Sequence, residues 1–324
     1  MMRDARSRSQ GGRREGTGAE RGNEGAWKSG GFAAKVRPAG TGKGRNGRRS
    51  AGKPPASGPT SASGAEARDS DGAPPFLSVI VPVMNERRTI AAVLKQAAKI
   101  HPHTELIVVA NGSTDGSAEA AERCGAKVIR YRSPLGHDVG RAVGARAAQG
   151  EILLFLDGDM VLSAAKLRPF VDAIARGGAD VALNDYSGPV HTSRVHPVVL
   201  AKHALNEMLR RPDLKGTSLT AVPHAMSRRA LAVIGTESLL VPPLAHAKAA
   251  AAGLRIVLPI RVDVGRRNRP RRERERLRPL HRLIIGDHLE AIAWLSRQAA
   301  AEKEAPVLPE PDNAEKTGHG GGAE

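Results

Sequence analysis

The chain has 324 residues, a formal net charge of +17 and one cysteine, Cys124. A single cysteine excludes a disulfide framework and a cysteine-ligated metal cluster, and fits a reducing compartment. Aromatic residues make up only 2%, which argues against stacking platforms for single-stranded nucleic acid, while the charge points to nucleotides, phosphates or a membrane surface.

Residues 1–75 are dominated by Gly, Arg, Ser, Ala and Pro, as in Gly11-Gly12-Arg13-Arg14 and Gly47-Arg48-Arg49-Ser50. Apolar residues are too few there to offset the entropy of ordering, so a disordered tail is expected. Its charge suits anionic lipid or RNA, but a solubilising tail without a specific partner is the preferred reading. No specific nucleic acid is expected. No apolar run reaches the roughly 18 residues of a membrane span, and no apolar segment marks a secretory signal. A cytoplasmic protein is expected, with peripheral contact to the inner membrane face as an extension.

Order is expected from Phe76. Leu77–Val81 reads as a strand closed by Pro82, and Thr89–Ile100 as a helix with Ile90, Val93, Leu94 and Ala97 on one face. Glu105–Ala110 is the second strand, Asn111–Gly116 a turn and Ser117–Cys124 a helix. Lys127–Tyr131, Asp138–Gln149 and Ile152–Leu156 continue as strand, helix and strand. This alternation implies parallel strands with right-handed crossovers, an α/β fold. Further on, Ala164–Arg176 reads as a helix, Asp180–Asn184 as a strand and Val195–Arg210 as a helix. Met226–Ile234 and Pro242–Ala252 follow as helices, then Arg255–Val264 as a strand. Arg266–Arg282 is arginine-rich, Leu283–Gln298 reads as a closing helix, and 301–324 as a flexible tail.

The chemistry concentrates where the fourth strand ends. Ile152–Leu156 runs into Asp157-Gly158-Asp159 at the carboxyl end of a parallel sheet, where ligands bind in open α/β folds. Two carboxylates so close repel unless something positive lies between them, and a Mg2+ or Mn2+ ion carrying a diphosphate meets that need. The plainer alternative is a turn in which one aspartate caps the next helix.

Three more elements extend the pattern: Pro82-Val83-Met84-Asn85-Glu86 after the first strand, Asn111-Gly112-Ser113-Thr114-Asp115 after the second, and Gly136, Arg141 and Gly144 before Gly150. In this order and spacing they resemble the family 2 glycosyltransferases. The resemblance is strong over residues 76–160 and weak to about 260. It implies a GT-A fold, a Rossmann-like and mostly parallel sheet flanked by helices. Residues 76–160 would be the donor half and 161–300 a smaller acceptor-side region with the closing helix. It also implies a nucleotide-sugar donor, UDP by default, held with a Mg2+ or Mn2+ ion.

Carried onto these positions, the resemblance makes Asp159 the direct metal ligand, with Asp157 on the donor ribose or a metal-bound water. Pro82, Asn85, Glu86, Asn111, Arg141 and Gly158 join them as donor-binding residues. Each has a plainer alternative: Pro82 as strand terminator, Glu86 as a first-turn acid facing a helix dipole, Arg141 as a solvated helical arginine. Asp115 reads as a helix cap, and so does Asp138.

Two departures stand out. Ala110 occupies the position of the first aspartate of the second motif, so Asn111 is left to supply part of the base contact and the base is open. The Glu-Asp pair that serves inverting members as general base is missing: counting back from Ala252-Gly253-Leu254 reaches Val241 and Pro242. Glu237, His246, His224 and Asp185 are the substitutes, and none is nominated. The expected function is metal-dependent transfer of a sugar, with inversion, to an unknown acceptor. The alternatives are a nucleotide-sugar-binding protein without transfer activity, or a retaining transferase acting on a small phosphorylated acid.

Overall fold

The computed structural model describes residues 74–264 and 280–304. The expected N-terminal tail lies almost wholly outside them, as do 305–324 and most of the arginine-rich stretch.

Seven strands form one sheet: β1 (Leu77–Val83), β2 (Thr104–Asn111), β3 (Lys127–Tyr131), β4 (Ile152–Phe155), β5 (Val181–Asn184), β6 (His224–Ser227) and β7 (Ile256–Ile260), in spatial order β3-β2-β1-β4-β6-β5-β7. β3, β2, β1 and β4 are parallel neighbours. β6 alone runs antiparallel, between β4 and β5, and β7 pairs parallel with β5. One reversed strand returns β5 and β7 to the direction of β4, so their carboxyl ends share one edge.

Alternation along the strands loads both faces. Val79 and Val81 of β1, Val108 of β2 and Leu154 of β4 pack with α1 (Ile90–Ala97), α2 (Ser117–Glu122) and α4 (Ala164–Ala175). Ile80, Ile107, Leu153 and Phe155 face the other way, against α3 (Val139–Ala147), α6 (Arg228–Ile234) and α7 (Pro242–Ala251). A third cluster joins Leu205 of α5 (Pro197–Met208), Ala247 of α7 and Ala291 of α8 (Leu280–Glu304).

Three expectations are corrected. Pro82 lies inside β1, opposite Val109, rather than ending it. The Ile80 carbonyl accepts from Leu156 on the β4 side, and the β1–β4 ladder ends at Ile80. Pro82 faces that same side one step beyond, so its missing N–H removes no ladder bond. His224–Ser227 is a central strand, so the helix expected from Met226 begins at Arg228. Met226 is fully buried between Leu153 and Val181, and the Ser227 side chain accepts from Ala230 N–H at 3.0 Å to start α6. The closing helix is longer than expected, so the flexible tail placed at 301 begins inside α8.

α3 approaches β1 closely. A Cβ on Gly140 would lie 2.8 Å from Pro82 Cβ, and one on Gly144 would run into Ile80 Cγ2. Gly144→Ala should therefore destabilise the fold by about 1–3 kcal/mol through overpacking. Gly286→Ala in α8, where an added Cβ meets nothing, should stabilise it by about 0.5–1 kcal/mol. Urea unfolding of the two variants checks the contrast.

Candidate active site

The loops after β1, β2 and β4 meet at the carboxyl edge of the sheet and are sewn together by hydrogen bonds. Asn85 takes a left-handed φ of 61°, a conformation asparagine tolerates better than most residues. Its Oδ1 accepts from Thr114 N–H at 2.9 Å, and its own N–H donates to Ser113 Oγ at 3.2 Å. Glu86 N–H donates to Ser117 Oγ at 2.7 Å, and the Glu86 carbonyl accepts from Thr89 and Ile90 to open α1. Asp115 bonds both loops: Oδ2 accepts from Arg87 N–H at 3.0 Å, and Oδ1 from Ser117 N–H at 3.0 Å and Ser117 Oγ–H at 2.5 Å. The N-cap of α2 is Gly116 rather than Asp115, but the Asp115 carboxylate holds Ser117, the first residue of that helix, and also anchors the β1 loop. Burial works to raise its carboxyl, but these hydrogen bonds outweigh that and hold it below the ordinary value of 3.8.

Asn111 is buried, and both ends of its amide hold the β3–α3 loop. Nδ2 donates to the Gly136 carbonyl at 2.8 Å and Oδ1 accepts from Leu135 N–H at 2.7 Å. In this structure the residue is a loop anchor, with one N–H and one lone pair left for a base edge. Gly158 packs under the β1 loop: a Cβ there would sit 2.6 Å from Val83 Cγ1, and its carbonyl accepts from Thr89 Oγ1 at 2.7 Å. Its contribution is a close fit.

Asp157 and Asp159 are half-buried, one on each side of Gly158. Enclosure pushes the Asp157 carboxyl up; Arg141 opposes the shift, Asp159 adds to it, and His137 opposes it further. Arg141 is 5% exposed, not a solvated arginine. Its Nη1 pairs with Asp138 at 3.1 Å and donates to the Leu219 carbonyl at 3.3 Å, while Nη2 lies 4.0 Å from Asp157. Asp138 occupies the N-cap position of α3, yet its side chain makes no capping bond. Asp138 thus holds the expected N-cap position, but its side chain pairs with Arg141 rather than with a first-turn N–H.

The pair of carboxylates fits a hard divalent ion. They lie one residue apart and their charges interact, and among the described residues no third Asp, Glu, His or Cys completes a ligand set. Such an ion takes its remaining ligands from phosphate oxygens and water.

The substitutes for a base separate cleanly. Glu237 is exposed and ion-paired with Arg146. His224 is buried, stacks on Phe155 at 4.9 Å and is bonded to the Ala221 carbonyl; burial and then Arg141 push it down to about 3. His246 is fully buried and also pushed down to about 3, first by burial. Neither imidazole takes a proton near neutrality. Asp185 follows β5 and so lies at the same edge as Asp157, two strands away.

Comparison with known proteins agrees with this geometry. Residues 78–232 match the family model described as Glycosyl transferase family 2, so the chain carries a glycosyltransferase domain of that family. Glycosyltransferase AglE of Haloferax volcanii is 33% identical over 115 residues, 33% of this chain and 38% of that protein. The 4,4'-diaponeurosporenoate glycosyltransferase of Staphylococcus haemolyticus is 28% identical over 149 residues, 44% of this chain and again 38% of the relative. The matches thus span well under half of either relative's length. Glucosyl-3-phosphoglycerate synthase of Mycobacterium tuberculosis, in complex with Mn2+, uridine-diphosphate and phosphoglyceric acid, shares the fold with a TM-score of 0.51 and 22% identity, over 67% of this chain and 78% of that one. The architecture is the GT-A fold.

Asp115→Ala should cost about 1 kcal/mol of stability through loss of the Ser117 and cross-loop bonds. The folded-state value lies below the unfolded one, so the carboxylate's contribution is complete above about pH 3.8 and fades as pH falls through the folded value. Denaturation of wild type and variant at pH 7 and in acid should show the gap narrowing in acid.

Proposed function

We propose that this chain transfers a sugar from a nucleotide-diphosphate donor to an acceptor hydroxyl, with Asp157 and Asp159 holding Mg2+ or Mn2+ against the diphosphate. The observation that carries the reading is the pair of half-buried carboxylates at the end of β4, with the buried Arg141 guanidinium 4.0 Å from Asp157. The ion, when bound, neutralises charge building on the departing diphosphate. Arg141 adds a fixed positive charge from below. The Asn85, Glu86 and Asn111 loops form the floor on which the nucleoside would lie, and Pro82 keeps α3 pressed against it.

UDP is the default donor base, supported by the Mycobacterium tuberculosis enzyme crystallised with uridine-diphosphate and Mn2+. The acceptor is unassigned. Val241 and Pro242 at the site of the usual carboxylate pair favour a second reading, retaining transfer to a small phosphorylated acid, and the phosphoglyceric acid in that neighbour's complex supports it. Among the described residues no helix is long and apolar enough to cross a membrane. The net charge of +17 supports peripheral contact with an anionic membrane face.

A thermal-shift panel of UDP, GDP, CDP and TDP sugars, with and without Mn2+, tests the site. One base type should raise the melting temperature only when metal is present, and Asp159→Ala should abolish the rise. Equal shifts in wild type and variant would remove the basis of the reading. A metal-dependent shift with no turnover of any donor would make the chain a nucleotide-sugar-binding protein instead.

A further inference from the structure

The segment between α5 and β6 is held by buried side chains from four different elements. Arg141 of α3, Asn184 of β5, Asn206 of α5 and His224 of β6 are each 5% exposed or less. Asn206 Nδ2 donates to the Lys215 and Thr217 carbonyls at 2.7 and 2.9 Å. Arg141 donates to the Leu219 carbonyl at 3.3 Å and to the Thr220 carbonyl at 3.5 Å. His224 Nδ1 donates to the Ala221 carbonyl at 2.9 Å, and Asn184 Nδ2 to the Val222 carbonyl at 3.5 Å. A connection that merely joined two elements would run over the surface and need no such holding. This one ends at the donor site. The Nη2 atom of Arg141 that meets the Thr220 carbonyl lies 4.0 Å from Asp157.

The segment begins on a strained turn. Thr217 N–H donates to the Leu214 carbonyl at 3.0 Å and closes a turn with Lys215 and Gly216 at its centre. Thr217 Oγ1 bonds the same carbonyl at 2.7 Å. Lys215 has φ 52° and ψ −127°. That is the first central position of a type II′ turn, which glycine takes freely and lysine only at a cost of about 1–3 kcal/mol. The Lys215 carbonyl receives the shorter of the two Asn206 bonds. The Asn206 amide is itself fixed, because His246 Nε2 lies 2.8 Å from its Oδ1. An amide oxygen only accepts, so His246 carries its proton on Nε2. The ring is fully buried, and its Nδ1 has no hydrogen-bond partner among the described residues, as that tautomer allows.

We propose that Asn206, oriented by His246, is a positioning residue for Arg141. It holds Lys215 in a conformation that lysine resists. That sets the Leu219 and Thr220 carbonyls, and these fix the guanidinium beside the acidic turn. The consequence for catalysis rests on the transferase reading above. Without those carbonyls Arg141 would lose its fixed place beside Asp157, and with it the positive charge set against the departing diphosphate.

Asn206→Asp keeps the size of the side chain and an acceptor for His246, but turns a carboxylate oxygen toward the two carbonyls. The guanidinium N–H resonances of Arg141, assigned by their loss in Arg141→Lys, report its position in the full chain without any donor. In the wild type they should exchange slowly with water, and in Asn206→Asp they should shift and exchange about tenfold faster. With Mn2+ and UDP-, GDP-, CDP- or TDP-glucose, kcat for glucose release to water should fall about tenfold in that variant, with the donor KM within about threefold. Lys215→Gly added to Asn206→Asp removes the strain, and should return the slow exchange and most of kcat. Thr217→Val removes only the hydroxyl bond to Leu214, and should give a smaller change in the same direction even if Asn206→Asp fails to fold. Ala291→Gly, in the contact of α8 with Leu205 and Ala247, should lower the melting temperature and leave both readouts unchanged. Unmoved Arg141 resonances in Asn206→Asp would overturn the inference. So would an equal change in Ala291→Gly, or moved resonances with unchanged kcat. A wild-type chain that turns over none of the four donors removes the transferase reading, while the exchange contrast still decides whether Asn206 positions Arg141.

Discussion

A guanidinium shut away from water must be neutralised where it lies, and Arg141 imposes that demand on everything around it. It reaches Asp138 within its own helix, the Leu219 carbonyl in the loop before β6, and the neighbourhood of Asp157 at the end of β4. One side chain therefore ties α3, that loop and the acidic turn to a common point. It can sit so deep because Gly140 and Gly144 let α3 lie almost on the backbone of β1. The local charge balance is nearly closed by Asp138, which leaves the Asp157–Asp159 pair short of positive charge. That shortage is what the proposed Mg2+ or Mn2+ ion would relieve.

The parallel half of the fold was legible because strand and helix periods alternate cleanly from Leu77 to Phe155, and each strand carries apolar residues on both faces. β6 was not legible. His224-Ala225-Met226-Ser227 is four residues long, without β-branched residues, and only burial between β4 and β5 makes it a strand. The end of β7 was misplaced for a different reason. The Asn184 side chain accepts from Val262 N–H at 2.7 Å and takes over where the backbone ladder stops.

The site divides in the same way. Asp157, Asp159 and Arg141 stood out because residue type and spacing state their chemistry. Asn111 and Gly158 could be placed but not interpreted, since their work is done through contacts with residues far away in the chain, such as Val83, Thr89, Leu135 and Gly136.

The stitching of the β1 and β2 loops has a consequence for affinity. Asn85, Glu86, Arg87, Ser113, Thr114, Asp115 and Ser117 hold one another through short hydrogen bonds that owe nothing to a ligand. A nucleoside settling there, as proposed, would meet a preformed seat and lose little binding energy to ordering it. On the proposed reading, discrimination between donors would rest on shape already cut into the backbone, retuned only by changing residues that also hold the two loops together.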